Sequence, residues 1–259
     1  MEITLDELKI LADEQGFDIV LLEKDYLLTY LLYLIKDVRH IHFKGGTALN
    51  KIFLNHERLS EDLDFSLTEK LSTVESDIKN KLKGTIFTKI THDKRADKFV
   101  RLIMHYKLFH EEGTIFIDLN ERAKVLLKPQ KMEIPHFYKE HIPKFKISCL
   151  HKNEIIAEKI LALCQRYRPR DYLDAYYIIK KKIPISMSLV KRKFRGDGET
   201  FSPSRIFKNA NRIFNEWDED LLRLTKSKPS FKEVTQTLTE FFKYKEHKEK
   251  LKGLRNKER

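Results

Sequence analysis

The alternation of apolar and polar residues divides the chain into an early helical stretch, a strand-rich middle and a helical end. Thr4-Leu5-Asp6-Glu7 is a capping-box pattern and predicts a first helix to about Glu14. Phe17-Asp18 introduces a longer helix to about Lys36, with Ile19, Leu22, Tyr26, Leu27, Tyr30 and Leu34 at helical spacing on a stripe that faces a sheet. Lys24 and Asp25 interrupt that helix, and elementary electrostatics favours a solvated face for them. Val38 to Phe43 reads as a strand, Gly45-Gly46 as a turn, and Thr47-Ala48-Leu49 as the start of a short helix. A polar turn from Asn55 to Arg58 leads to a second strand, Leu59 to Leu67.

Thr73 to Leu82 predicts an exposed helix, and Ile86 to Ile90, Phe99 to Leu108 and Thr114 to Asn120 predict three strands. Lys124 to Lys146 holds prolines 129, 135 and 143 among lysines and reads as a long irregular connection, hence a domain boundary. Ile147 to Leu150 predicts a last short strand. Asn153 then caps a helix to about Tyr167, and Pro169 opens another to Lys181. From Ile183 the pattern stays helical, with a loop at Gly196-Asp197-Gly198 and an amphipathic helix from Phe231 to Phe242 that runs into a lysine-rich tail. The fold class is α/β: a domain with a small mixed sheet over residues 1–146, then a helical domain over 147–259.

The chemistry concentrates between His42 and Leu67. A strand–Gly-Gly–Thr–helix junction leaves backbone N–H groups at a helix start, where Gly45, Gly46 and Thr47 can hold phosphate, with Ser60 nearby. On the following strand Asp62 and Asp64 share one face, while Leu63 and Phe65 share the other. Two carboxylates on one face suit Mg²⁺ (or Mn²⁺), which brings nucleotide phosphates with it. A P-loop would need Gly-Lys-Ser/Thr after a longer glycine loop, and an EF-hand counted from Asp62 would need Gly where Leu67 stands. The bland reading is a surface turn before an acidic strand end.

Three further places carry charge where it is costly. Asp118 is the one acid in Thr114-Ile115-Phe116-Ile117-Asp118-Leu119-Asn120, so it must be paired, bind metal or lie at the strand end. Ile156, Lys159, Leu163 and Arg166 fall along one helix face, and a lysine and arginine among apolar neighbours need an anion, most naturally a nucleotide triphosphate. Arg170, Asp171 and Asp174 cluster within one helical turn, where an Arg170–Asp174 ion pair is the plain reading.

GGTALNK followed by RLSEDLDFSL resembles motif I of the AbiEii/AbiGii toxin family, a branch of the polymerase-β-like nucleotidyltransferases that includes the MenT toxins. The likeness continues upstream in Glu23-Lys24-Asp25-Tyr26 and downstream in EIIAEKILALCQRYRPRDYLDAYYI, over roughly residues 18 to 180. It implies Mg²⁺-dependent transfer of a nucleotidyl group from an NTP to an RNA end, tRNA 3′ ends among them, or to a protein hydroxyl. It also implies the toxin half of a toxin–antitoxin or abortive-infection pair, and so a cognate antitoxin. By resemblance Asp118 is the third carboxylate, a metal ligand and general base, Lys159 and Asp174 belong to the second block of catalytic residues, with Asp171 beside them, and Lys24 or Asp25 lies near the nucleotide. The rival classes are a non-catalytic nucleic-acid-binding module with a degenerate site and a metal-dependent nuclease using the same acids.

Charge sharpens the choice of partner. Of 259 residues 35% are charged, and the net charge is +12. Lys180 to Arg195 holds seven Lys or Arg and no acid, and Lys226 to Arg259 holds eleven against five Glu, so the excess lies in the last third. That asymmetry points to RNA as the partner, unless it records only a lysine-rich composition. Cys149 and Cys164 have no metal-ligand or redox spacing, which fits reduced thiols in a cytoplasmic protein. The longest uncharged apolar run, Tyr26 to Ile35, is about half of what a membrane helix needs, and the acidic N-terminus is unlike a signal peptide.

Overall fold

The computed structural model describes residues 3–109, 112–122 and 124–244. The chain divides into two compact units, Met1–Ile155 and Ile156–Arg259.

In the first unit α1 (Leu5–Gln15) starts at the expected capping box, with Thr4 and Glu7 bonded reciprocally. The next helix, α2 (Ile19–Ile35), starts at Asp18, whose carboxylate accepts from the N–H groups of Val20 and Leu21. It is buried on nearly every side rather than along one stripe: Leu22, Leu27, Leu28, Leu31, Leu32 and Ile35 are fully enclosed. Each such side chain stabilises the fold by about 1.5–3 kcal/mol relative to exposure.

Among the described residues seven strands form one mixed sheet: β1 (Ile41–Lys44), β2 (Asp62–Leu67), β3 (Phe87–Ala96), β4 (Phe99–Lys107), β5 (Glu112–Asn120), β6 (Gln130–Glu133) and β7 (Lys146–Cys149). Their order is β3-β4-β5-β2-β1-β7-β6. At the centre β2 and β5 run parallel, flanked by antiparallel β1 and β4. Alternation gives the sheet two unlike faces. Phe43, Phe65, Leu63, Ile117, Leu119, Val100 and Leu102 are buried on one. The other carries His42, Lys44, Asp62, Asp64, Asp118 and Arg101.

Two expectations change here. The stretch read as an irregular connection contains β6, paired with β7, and it buries Ile134, Tyr138 and Ile142. Prolines limited the pairing signal in that stretch to four residues, too short for a period to show. Glu154 holds the chain just before it, accepting from the N–H groups of Leu126 and Leu127 at 2.8 and 2.9 Å. The helix expected to be exposed is α4 (Leu71–Leu82), after the short α3 (Gly45–Ala48), and it buries Leu71, Val74, Ile78 and Leu82.

Helices make up the second unit as expected. The division falls within α5 (Lys152–Gln165); Asn153 stands inside that helix, not at its cap. Then come α6 (Pro169–Lys180), α7 (Met187–Gly196), α8 (Pro203–Phe207), α9 (Ala210–Leu221) and α10 (Phe231–Phe241), with Pro169 at the first turn of α6. Both α9 and α10 pack on α6, and Phe231 meets Trp217 and Tyr172 with ring centroids 5.2 and 6.2 Å apart. The lysine-rich tail expected beyond α10 lies largely outside the described residues. No helix among the described residues is long and apolar enough to cross a membrane. Both cysteines are buried and free, and burial pushes their thiols up to about 12, so they are inert at neutral pH.

Glu75 docks α4 on the sheet edge. Its carboxylate meets Lys79 at 2.6 Å, His92 at 2.8 Å and Arg95 at 3.2 Å. Burial works to raise its pKa, but the bonds from Lys79 and His92 and the charges of Lys79 and Arg95 hold it below the ordinary 4.5. A group depressed on folding stabilises above its unfolded pKa and loses that contribution as pH falls through the folded one. Glu75→Gln should therefore cost about 1–2 kcal/mol near neutrality, and the difference from wild type should vanish on acidification below pH 4.5. Urea titrations of both proteins at several pH values measure this.

Candidate active site

The Gly-Gly junction is shaped by what lies against it. Gly45 has φ of 76°, and a Cβ there would stand 2.0 Å from Oδ2 of Asp64. Glycine is required twice, for the left-handed backbone and for the approach of the carboxylate. At Gly46 a Cβ would meet Nη2 of Arg58 at 2.8 Å and Ser60 Oγ at 3.6 Å. The helix that follows is brief: α3 covers Gly45–Ala48 and continues as one π-helical turn, Leu49–Phe53. Thr47 is buried, and its hydroxyl donates to the carbonyl of Asp62. It thus ties the turn to β2 and is not a free phosphate donor. Asn50 donates to the Gly46 carbonyl at 3.1 Å, locking the turn from behind.

The stretch from Asn55 to Arg58 is no simple polar turn. Arg58 is 2% exposed and donates to the carbonyl of Leu59 at 2.8 Å, beneath Gly46. Below the turn lies a second buried network. Lys51, on the π turn, donates to both oxygens of Asp25 at 2.7 and 2.8 Å and to Thr29 at 3.0 Å. Tyr138 completes it by donating to Asp25 at 3.1 Å. Asp25 is 1% exposed, so the solvated-face expectation fails for it. Lys51, one turn beyond the glycines and paired across the chain, repays the burial. Lys24 reaches Glu61 at 3.3 Å, which sets its charge beside Asp62.

On the open face one row of partners runs across four strands: Lys44 on β1, Asp64 on β2, Asp118 on β5 and Arg101 on β4. Asp62 lies one step along, opposite Phe116. Burial pushes the Asp62 carboxyl above the ordinary carboxylate range, against the pull of Lys24 and Arg101. Its side chain has no hydrogen-bond or ion-pair partner among the described residues. A partly desolvated carboxylate without a partner, two residues from a second one, is a donor set that fits a hard divalent cation. Asp118 is engaged elsewhere: Arg101 donates to both its oxygens at 2.7 Å. Among the described residues no three His, Cys, Asp or Glu side chains gather as a metal cage.

The second unit holds its own charge cluster. Lys159, 6% exposed, meets Asp171 at 2.8 Å and Asp174 at 2.7 Å, and both aspartates are fully buried. Two anions beside Lys159 are thus supplied by α6. Arg166 lies 3.6 Å from the second oxygen of Asp171, with its side chain 62% exposed. Arg170 also reaches beyond its own helix, to Asp220 on α9 at 3.1 Å. Arg58, Arg101 and Lys51 are the residues that sequence reasoning missed. A cation within or next to an apolar run was the available signal, but it names no partner.

Solved structures share this fold, a nucleotidyltransferase toxin among them. The toxin MenT4 from Mycobacterium tuberculosis H37Rv superposes with a TM-score of 0.71 at 16% identity, covering 97% of this chain and 98% of its own. JHP933 from Helicobacter pylori gives 0.58 at 19% identity, over 94% and 100% of the two chains. A putative nucleotidyltransferase from H. pylori gives 0.57 at 20% identity, over 84% and 90%. No curated protein matches. The model of the nucleotidyl transferase AbiEii toxin family, of type IV toxin–antitoxin systems, matches residues 27–253, and the chain belongs to that family. It is a nucleotidyltransferase.

Gly45→Ala should displace Asp64 and lower stability by about 1–3 kcal/mol through left-handed strain, with transfer lost in the fraction that folds; melting curves and a transfer assay on one preparation measure both. Lys159→Met should cost about 3–5 kcal/mol, because it removes the buried cation that two buried carboxylates share. Chemical denaturation measures it.

Proposed function

We propose that this enzyme transfers a nucleotidyl group from an NTP to an RNA hydroxyl, with one or more Mg²⁺ ions bound at Asp62 and Asp64. The unpartnered, desolvated carboxylate of Asp62 on the face it shares with Asp64 carries the reading. The cation would neutralise the triphosphate and favour attack on it. Gly45 and Gly46 let the backbone approach closely, Ser60 stands beside them, and Lys24 adds a positive charge near Asp62. By resemblance Lys159 and Asp174 serve the reaction; their closed ion cluster supports a positioning role, with exposed Arg166 as the cation turned to an anion. A nuclease would use the same acids, but membership of a nucleotidyltransferase family favours transfer.

For the acceptor, the basic stretch on and before α7 favours RNA over a protein hydroxyl. Lys180, Lys181, Lys182, Lys191, Arg192 and Arg195 are exposed, whereas Lys193 is buried against Glu158 at 2.8 Å and belongs to the core. The tRNA 3′ end is the acceptor the resemblance implies, and family membership supports an antitoxin partner encoded with the toxin.

Asp62→Asn and Asp64→Asn should each abolish transfer of labelled nucleotide to RNA while leaving the melting temperature near wild type; full transfer by both would remove the metal site. Reversing Lys191, Arg192 and Arg195 to Glu should flatten the salt dependence of RNA binding, which falls by about 0.7 in log affinity per log salt for each phosphate contact on a single strand. Salt-independent binding would favour a protein acceptor.

A further inference from the structure

Arg101 and Asp118 are cross-strand partners on β4 and β5, so their contact follows from the register and needs no loop to hold it. Nε and Nη2 of Arg101 donate to the two oxygens of Asp118, each at 2.7 Å. The Asp118 side chain keeps 14% of its exposure and that of Arg101 27%, and the guanidinium stands over the Phe116 ring at 5.2 Å. This is the two-pronged geometry that suits arginine and that lysine cannot copy. It commits both oxygens of the third carboxylate to a group that stays protonated: the hydrogen bonds that Arg101 donates to Asp118, with the charges of Asp118 and Asp62, push the guanidinium pKa further up against the opposing effect of burial.

Asp62 and Asp64 point from the neighbouring strand on the same face, and Asp64 is directly opposite Asp118. Asp118 is thus answered by Arg101 within the protein, while Lys44 stands opposite Asp64 at the other end of the row. A second metal ion on the same face would have to strip Asp118 from Arg101 and would then stand beside an uncompensated guanidinium.

We propose that this enzyme binds a single divalent cation, at Asp62 and Asp64, and that Arg101, held by Asp118, supplies the positive charge a second ion would otherwise bring. The inference rests on the metal assignment made above. It makes Asp118 a positioning residue for Arg101, neither a metal ligand nor a proton acceptor. The guanidinium is fixed in the row of Asp64 and Asp118, where it can meet phosphate oxygens of an incoming nucleotide.

Mn²⁺ binding to the full chain, followed by the paramagnetic resonance of the free ion, tests this without any turnover. The measurement is made alone and with a non-hydrolysable NTP analogue. Wild type should bind one Mn²⁺ per chain in both conditions. Asp118→Asn, equal in shape, should keep the affinity within about twofold, whereas loss of a true ligand weakens it about tenfold or more. Arg101→Gln should release Asp118 and let a second Mn²⁺ bind. Two ions on wild type, or about a tenfold loss in Asp118→Asn, overturns the single-ion inference while leaving Asp62 and Asp64 as ligands. Unchanged Mn²⁺ binding in Asp62→Asn overturns the metal assignment itself, and this inference with it. Should Arg101→Gln fail to fold, wild-type stoichiometry and Asp118→Asn still decide.

Discussion

The carboxylate of Asp64 occupies the space that any side chain on residue 45 would take. That single approach fixes the distance between the Gly-Gly junction and β2, and much of the open face depends on it. With Gly45 seated, Thr47 reaches the Asp62 carbonyl and Asn50 reaches that of Gly46. Asp62 is then left pointing from the strand with no partner of its own. Lys51 and Asp25 hold the same turn from beneath, in surroundings where breaking either charge would leave the other stranded. The cradle is thus rigid on its protein side and open on the side where phosphates are expected.

Charge in this protein is mostly consumed internally. Asp25 has Lys51, Glu75 has three cations, Asp118 has Arg101, and Lys159 has two aspartates. Against that background the carboxylate of Asp62 stands out because nothing answers it. A desolvated acid kept without a partner costs stability, and on the proposed reading that cost would be regained when a cation and its triphosphate bind. The exposed cations before and along α7 would suit the polyanion proposed as acceptor.

Local rules were enough for much of this. The capping box at Thr4, the start of α2 at Asp18, Pro169 at the first turn of α6 and the shared face of Asp62 and Asp64 all follow from interactions within a few residues, and each stands where the sequence put it. The family, too, was legible in GGTALNK and RLSEDLDFSL, because a glycine pair and alternating acids are constrained by chemistry at close range. Sequence also flagged Asp118 and Lys159 as charges that needed an answer, since burial of an unpaired charge is costly wherever it occurs.

Which partner gives the answer was decided only by tertiary structure. Asp118 takes Arg101 because the register of β4 on β5 brings them opposite, and a register is a property of two strands, not of either alone. Lys159 takes Asp171 and Asp174 because α5 and α6 turn those faces together, and Arg170 reaches Asp220 on a third helix. Arg58 and Lys193 read as surface cations until packing enclosed them. A sequence states what each buried charge costs, but the energy that offsets it comes from residues far along the chain, and only the folded arrangement selects among them.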